Sequence, residues 1–357
     1  MPAPLRMIDL FAGCGGLTSG FVSTGLFVPV AAVEHDLAAA ATYAANFGED
    51  HIRWGAIEDW VVDGDLPEAD VVVGGPPCQG FSNLGKRLSS DPRNELWRHY
   101  MDTLVRVQPR AFLLENVDRF GTSDQFRELD RETQTGGRLQ DYDIDARMVR
   151  ATDYGSAQLR RRFIVIGTHR DLDKIMIPDG DTPRENWRTV EQALDGVGAD
   201  VDPDDRDLPA ATIEYHGQVV PGEFKSPDLH ITRFYTDTSL KRFAHIPEGG
   251  NRLSLPDDLK ARCWKGHDRG SLDVMGRLRW ERPSVTIRTE FFKPEKGRYL
   301  HPEQDRAITH HEAARIQGFP DEFLWCGTKL QIARQIGNAV PVELARSLAR
   351  HISRSIR

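Results

Sequence analysis

Along the first half of the chain, short apolar and β-branched runs alternate with longer helix-length stretches. The runs are LRMIDL (5–10), FVPVAAV (27–33), ADVVVGG (69–75), RAFLLEN (110–116), IDARMVRAT (144–152) and RRFIVIGT (161–168). Near-continuous apolar strands spaced by amphipathic segments predict a doubly wound, parallel-rich α/β sheet with helices on both faces. The rhythm breaks after about residue 170. Residues 171–224 hold fourteen acidic and four basic side chains among many Asp and Pro, a composition of loop and linker. Residues 225–300 reverse the sign, with sixteen Lys and Arg against ten Asp and Glu, interleaved with Phe234, Tyr235, Trp264, Trp280, Phe291 and Phe292. That mixture suits a nucleic-acid face and equally suits a small β-rich domain with a solvated charged surface. The tail QIARQIGNAVPVELARSLARHISRSIR (331–357) predicts an amphipathic helix after a Gly-Asn turn, with Leu344, Leu348 and Ile352 at helical spacing. It is expected to pack back on the first domain.

A length of 357 residues allows one large core, or an α/β domain with a smaller companion. No apolar run approaches the roughly 20 residues of a membrane span. The start MPAPLRMIDLFAG feeds a strand directly into a glycine loop and shows none of the parts of a secretory signal, so a cytoplasmic protein with no membrane partner is expected. Cys14, Cys78, Cys263 and Cys326 are too scattered for a disulfide framework and form no CxxC pair for zinc. In HHEAAR (310–315), Arg315 stands where a zinc helix needs its second histidine, so no metal is expected. The net charge of −8 argues against indiscriminate nucleic-acid binding while leaving room for a local basic face.

Four stretches carry chemistry. In MIDLFAGCGGLTSGF (7–21), Gly13, Gly15 and Gly16 sit between a strand and a helix, where backbone can approach a ligand. Glu34 ends the next strand about twenty residues on, where an acid can accept both hydroxyls of a ribose, so an adenosine-type cofactor is expected. Cys78 follows GGPP at the carboxyl end of another strand, the place where open α/β sheets bind ligands. The two prolines stiffen that turn and hold a thiol at the cleft, a candidate nucleophile. Glu115 ends the following strand at the same edge, and Arg160 and Arg162 enter a buried strand at alternate positions, where they could grip an anion or a base carbonyl.

Taken in order, DLFAGCGG, GGPPCQGFS, ENV, QLRRRFIVIG, HHEAARIQGFPDEF and QIGNAVP resemble the blocks of the C5-cytosine DNA methyltransferases. They span both ends of the chain and leave only about 170–300 without a common pattern. The resemblance implies an S-adenosylmethionine-dependent, Rossmann-like sheet with a smaller, β-rich target-recognition domain. It assigns 1–170 to catalysis and cofactor binding, 171–327 to target recognition, with 171–224 as an acidic linker-like part, and 328–357 to a C-terminal helix returning to the catalytic domain. Methyl transfer to C5 of a flipped cytosine in a specific sequence of double-stranded DNA is the implied activity, S-adenosylhomocysteine the product, and a cognate restriction endonuclease acting on the same site an implied partner.

Carried over by position, the resemblance makes Cys78 the nucleophile at C6, with Glu115 at N3 and Arg162 at O2, beside Arg160. It places the cofactor against Phe11, Gly13, Gly15, Gly16, Leu17, Glu34, Ile57, Pro76, Leu96, Asn338 and Val340, and makes GFSNLGKRLSSDPRNELW (80–97) a mobile catalytic loop. One departure stands out. Members commonly carry Gly-Asp-Ile after the third strand, with the Asp facing the adenine amino group, and here the residues are Gly55-Ala56-Ile57; Glu58, Asp59 or a water could take that place. Related alternatives are a tRNA cytosine-5 methyltransferase and a catalytically silent cofactor-binding DNA regulator. The stretch 170–300 is long enough for a recognition domain and favours DNA, and an intact Cys78, Glu115 and Arg162 favour an active enzyme.

Overall fold

A computed structural model describes residues 3–63, 65–77, 96–266, 270 and 272–357. Cys78 and the stretch 80–95 of the expected mobile loop lie outside these residues. The chain divides into two compact units, one of 1–154, 161–182 and 339–357, the other of 155–160 and 183–338.

The first unit opens with β1 (Leu5–Leu10), α1 (Gly16–Val22), β2 (Phe27–Glu34), α2 (Leu37–Phe47), β3 (Ile52–Trp54) and α3 (Ile57–Asp63). It continues with β4 (Val71–Gly74), α4 (Leu96–Val107), β5 (Ala111–Asn116), α5 (Asp124–Glu132) and β6 (Tyr142–Arg150). The short β7 (Gln158–Leu159) belongs to the second unit and β8 (Arg161–His169) to the first. The seven strands of the first unit form one sheet in the order β3-β2-β1-β4-β5-β8-β6, parallel except for β8, which runs against both its neighbours.

Both faces of the sheet are buried, as the continuous apolar runs predict. Met7, Val71, Val73 and Leu113 pack on one face with Leu17, Phe21, Leu344, Leu348 and Ile352. Their strand neighbours Ile8, Leu10, Val72, Phe112 and Leu114 point the other way, against Trp60, Tyr100 and Leu104. Residues 171–182 also belong to this unit. Ile175 and Ile177 are buried in its core, with the Ile175 N–H donating to Thr168 Oγ1 at 3.0 Å and the Ile177 N–H to Asp145 Oδ2 at 2.7 Å. The first unit therefore runs on past residue 170, where the sequence rhythm breaks.

The second unit contains α6 (Val190–Ala193), β9 (Thr212–Tyr215), β10 (Gln218–Pro221), β11 (Phe224–Lys225), α7 (Asp237–Ala244) and β12 (Ser284–Val285). It ends with α8 (His310–Ile316), β13 (Leu324–Trp325) and α9 (Lys329–Asn338), after which α10 (Val342–Ile356) rejoins the first unit. Its strands, none longer than four residues among those described, pair two by two: β9 with β10, β11 with β13, β7 with β12. The tail is thus two helices instead of one. Gly337 and Asn338, expected to form a turn, close α9, and Gly337 lies so near another segment that a Cβ there would stand 2.5 Å from the carbonyl carbon of Arg288. No helix of the described residues is long and apolar enough to cross a membrane.

The contact that seats α10 is close. A Cβ at Gly20 of α1 would collide with the Ala345 side chain and come within 2.7 Å of the Arg346 nitrogen. Gly20→Ala should therefore overpack this helix pair and cost about 1–3 kcal/mol of stability in urea unfolding; an unchanged midpoint would show that the two helices can move apart freely.

Candidate active site

Several of the residues singled out in the sequence, Gly13, Gly15, Glu34 and Glu115 among them, lie at the carboxyl edge of the sheet. Beyond β1 the chain turns through Phe11, Gly13 and Gly15 with φ of 57°, 56° and 87°, a left-handed run that glycine makes cheap. Gly15 caps α1, and Gly16 sits so close to the C-terminal segment that an added Cβ would be 2.9 Å from the Val340 carbonyl oxygen. Glu34, at the end of β2, is tied to this turn: Oε2 accepts from the Gly13 N–H at 2.8 Å and Oε1 from the Asp36 N–H at 2.7 Å. Burial raises its pKa against the pull of those backbone donors. In front of Gly13 there is open space, with no atom within 4 Å of where a Cβ would lie.

Asp9, which sequence reasoning misses although it opens DLFAGCGG, is fully buried under this turn. Thr18 Oγ1 donates to its Oδ2 at 2.6 Å, and Oδ1 has no hydrogen-bond partner among the described residues. Burial, helped by the nearby Glu34 carboxylate and opposed by the Thr18 hydroxyl, lifts the Asp9 pKa to about 7.

Ile57 belongs to the core on one face of the sheet, and Phe11 and Leu96 pack, partly buried, against that same core. Leu17 and Val340 bury their side chains in the core on the opposite face. Ala56 precedes Ile57 at the start of α3, the Gly55 N–H donates to the Glu34 carbonyl at 3.0 Å, and Glu58 and Asp59 are exposed. Asn338 ends α9 in the second unit and is exposed.

The second cluster lies where β4, β5 and β8 meet. Antiparallel pairing sets Asn116 opposite Phe163 and Glu115 opposite Ile164, so the start of β8 reaches the carboxyl end of β5. Arg162 Nε stands 2.5 Å from Glu115 Oε1, both side chains nearly buried. Gly75 keeps this carboxylate clear, since a Cβ there would be 3.1 Å from Glu115 Oε2. Asn116, whose signal is its place in the ENV block, donates from Nδ2 to the Pro76 carbonyl at 2.9 Å and accepts from the Val117 N–H at 2.8 Å. It pins the turn that leads to Cys78.

Arg160 is buried among backbone carbonyls. It belongs to the second unit, where its guanidinium donates to the carbonyls of Ile287 at 2.9 Å and Gly337 at 3.0 and 3.1 Å. Such a buried fork is a backbone clamp. HHEAAR likewise builds structure: Thr309 and Glu312 form the capping box of α8, and Glu312 pairs with Arg306 at 2.7 Å. No group of three or more His, Cys, Asp or Glu among the described residues is placed to hold a metal ion.

The family model for C-5 cytosine-specific DNA methylase matches residues 5–354. The chain belongs to this family. The methylase is 30% identical to the type II methyltransferase M1.HphI of Haemophilus parahaemolyticus, over 97% of this chain and 86% of the relative. It is 31% identical to the type II methylase M.HgiDII of Herpetosiphon aurantiacus, over 98% and 95%. Among solved structures it is similar to an Escherichia coli prophage protein described as a DNA modification methyltransferase, with TM-score 0.72, 26% identity, and 98% and 99% of the two chains covered. It shares its fold with the Dnmt2 methyltransferase of S. pombe, with TM-score 0.66, 15% identity and 98% of each chain covered.

Two predictions concern this edge of the sheet. Because the folded-state pKa of Asp9 lies above its ordinary value of 3.8, its contribution to stability is complete below about pH 4 and is lost as pH rises through about 7. The stability of wild type relative to Asp9→Asn should therefore fall by up to a few kcal/mol across that window; a difference independent of pH would mean that Asp9 titrates normally. If no side chain replaces the missing carboxylate, Ala56→Asp should tighten S-adenosylmethionine binding by one hydrogen bond, on the order of 1 kcal/mol by calorimetry. A weaker complex in Glu58→Ala would instead make Glu58 the substitute.

Proposed function

We propose that this methylase transfers a methyl group from S-adenosylmethionine to C5 of a cytosine extruded from a specific sequence of double-stranded DNA, through a covalent bond between Cys78 and C6. The observation that carries the reading is the 2.5 Å pair of Glu115 and Arg162, next to the turn that leads to Cys78. On cytosine, N3 and O2 are carried by adjacent ring positions. A carboxyl and a guanidinium held side by side match them, and both stabilise the ring as negative charge develops on it.

C5 of an aromatic cytosine is a poor nucleophile. Addition of the Cys78 thiolate to C6 breaks the aromaticity and leaves an enamine whose C5 can take the methyl group. Glu115 delivers a proton to N3 and Arg162 donates hydrogen bonds to O2 during that addition, so that the adduct is a neutral enamine, and N3 returns its proton when the thiolate leaves. Loss of the C5 proton to a base then lets the thiolate leave. Gly75, Pro76 and Asn116 fix the turn so that the thiol starts close to its target. When bound, S-adenosylmethionine supplies an electrophilic methyl group on sulfonium sulfur. The open space at Gly13, the Glu34 carboxylate beside it and the Phe11, Ile57 and Leu96 side chains fit an adenosine-bearing cofactor.

The target base is out of reach in a duplex, so it must swing out. We assign sequence recognition to the second unit, within 225–300, and the segment after Cys78 to closure over the DNA. The type II names of the relatives support a partner endonuclease acting on the same site.

Cys78→Ala should lose methyl transfer while still binding S-adenosylmethionine, and DNA with 5-fluorocytosine at the target should trap the wild-type chain, because fluorine cannot leave as a proton does. Glu115→Gln should lower the rate by about 10²–10⁴. An active enzyme that forms no complex with the fluorinated target would rule out addition at C6.

A further inference from the structure

The second unit contains a cavity of about 210 Å³, lined by none of the residues of the Glu115 and Arg162 cluster. Its floor is apolar, with Ile308 buried, and one wall is Phe292, whose ring stacks on the buried His310 at 5.6 Å and 17°. Burial holds the His310 imidazole down to about 4, so this stack is uncharged at neutral pH. Tyr235 adds a second aromatic surface. The charge sits at the mouth, on Arg233, Lys293 and Lys329.

These three cations are not equivalent. Lys293 is paired with Glu290 at 2.6 Å and Lys329 with Asp207 at 2.8 Å. Arg233 is exposed and has no carboxylate partner among the described residues. Its guanidinium lies 5.6 Å from the Tyr235 ring centre and makes a long 3.4 Å hydrogen bond to the Phe292 carbonyl. Arginine carries five donors in a fork that suits phosphate, and most of these remain available.

A bare anion gains nothing from the Ile308 floor and the aromatic walls, and a purely apolar ligand gains nothing from an unpaired guanidinium. A flat aromatic ring that carries a phosphate satisfies both. The volume lies below the roughly 300–1,000 Å³ usual for drug-sized ligands and suits a single base.

We propose that this cavity is a nucleotide site, which takes one base of the DNA substrate at a position other than the methylated cytosine, with Arg233 on its phosphate. The inference rests on the DNA reading above. A strand is favoured over a free nucleotide because the proposed substrate of this chain is itself DNA. Stacking on aromatic side chains and charge at the rim are the usual means by which proteins hold unpaired nucleotides.

The test uses the full-length enzyme and two variants at exposed positions, Arg233→Gln at the mouth and Leu330→Trp, which blocks the cavity from its rim. Each should weaken duplex binding about tenfold, and Arg233→Gln should also reduce the salt slope by about one. In a duplex scanned with 2-aminopurine, one position other than the target should change its fluorescence on binding wild type and not on binding Leu330→Trp. Wild-type affinity and salt slope in both folded variants would overturn the proposal. So would binding of free deoxynucleoside monophosphate that Leu330→Trp abolishes while duplex binding is untouched, which would make the ligand a small molecule. Methylation assays on the same preparations separate the two readings, since a wild-type chain that never methylates duplex cytosine overturns both.

Discussion

The site depends on one constraint, the common direction of β2, β1, β4 and β5. Their registers set Leu10 beside Val33 and Gly74, and Gly74 beside Leu114, so four strand ends lie level. The glycine turn, Glu34, the Gly-Pro turn and Glu115 therefore share one edge although they are scattered over a hundred residues. β8 runs the other way, and the reversal matters. In an antiparallel strand the first residues, not the last, arrive at this edge, which is how Arg162 meets Glu115. A parallel β8 would carry the same sequence with its arginine at the far side of the sheet.

That edge is held under tension between stability and function. Asp9 is a fully buried carboxyl group and Glu34 a partly buried one, and loss of solvation raises both pKa values. A sequence chosen for stability alone would place apolar residues there. The positive φ at Gly13 and Gly15 and the open space in front of Gly13 have the same character: they forgo packing and leave room beside the backbone.

Much of this edge is legible in the amino-acid sequence. β1, β4 and β5 read clearly because both faces are covered, which forces runs such as Val71-Val72-Val73 to be apolar throughout. Other features escape local reading for physical reasons. Gly337-Asn338 has turn chemistry, yet glycine is needed there because the Arg288 backbone, far away in sequence, leaves no room for a side chain. The strap at 171–182 hides Ile175 and Ile177 in an acidic, proline-containing stretch; their alternation with the exposed Met176 is the signal that could have found it. Arg160 and Arg162 look equivalent, two positions apart in one block. The unit boundary passes between them, with Arg162 beside the Glu115 carboxylate and Arg160 donating to the carbonyls of Ile287 and Gly337.

The basic surplus of 225–300 shows what composition measures and what it does not. Arg277 is buried, donating to the carbonyls of Phe243, Ile246, His301 and Gln304 as well as to Asp305. Arg298 reaches the carbonyls of Gly249, Gly250 and Arg277, and Arg242 that of Leu259. The second unit has strands of two to four residues, so many of its carbonyls find no ladder partner, and a buried carbonyl left unpaired is costly. A guanidinium supplies several donors from one side chain, which a lysine ammonium cannot do in a fixed plane. Here the charge of a segment overstates the charge it can offer to DNA, because irregular backbone claims arginines first. What remains for phosphate is the set of cations that carbonyls and carboxylates leave largely unoccupied, and Arg233, exposed beside an aromatic cavity with one long bond to the Phe292 carbonyl, is one of them.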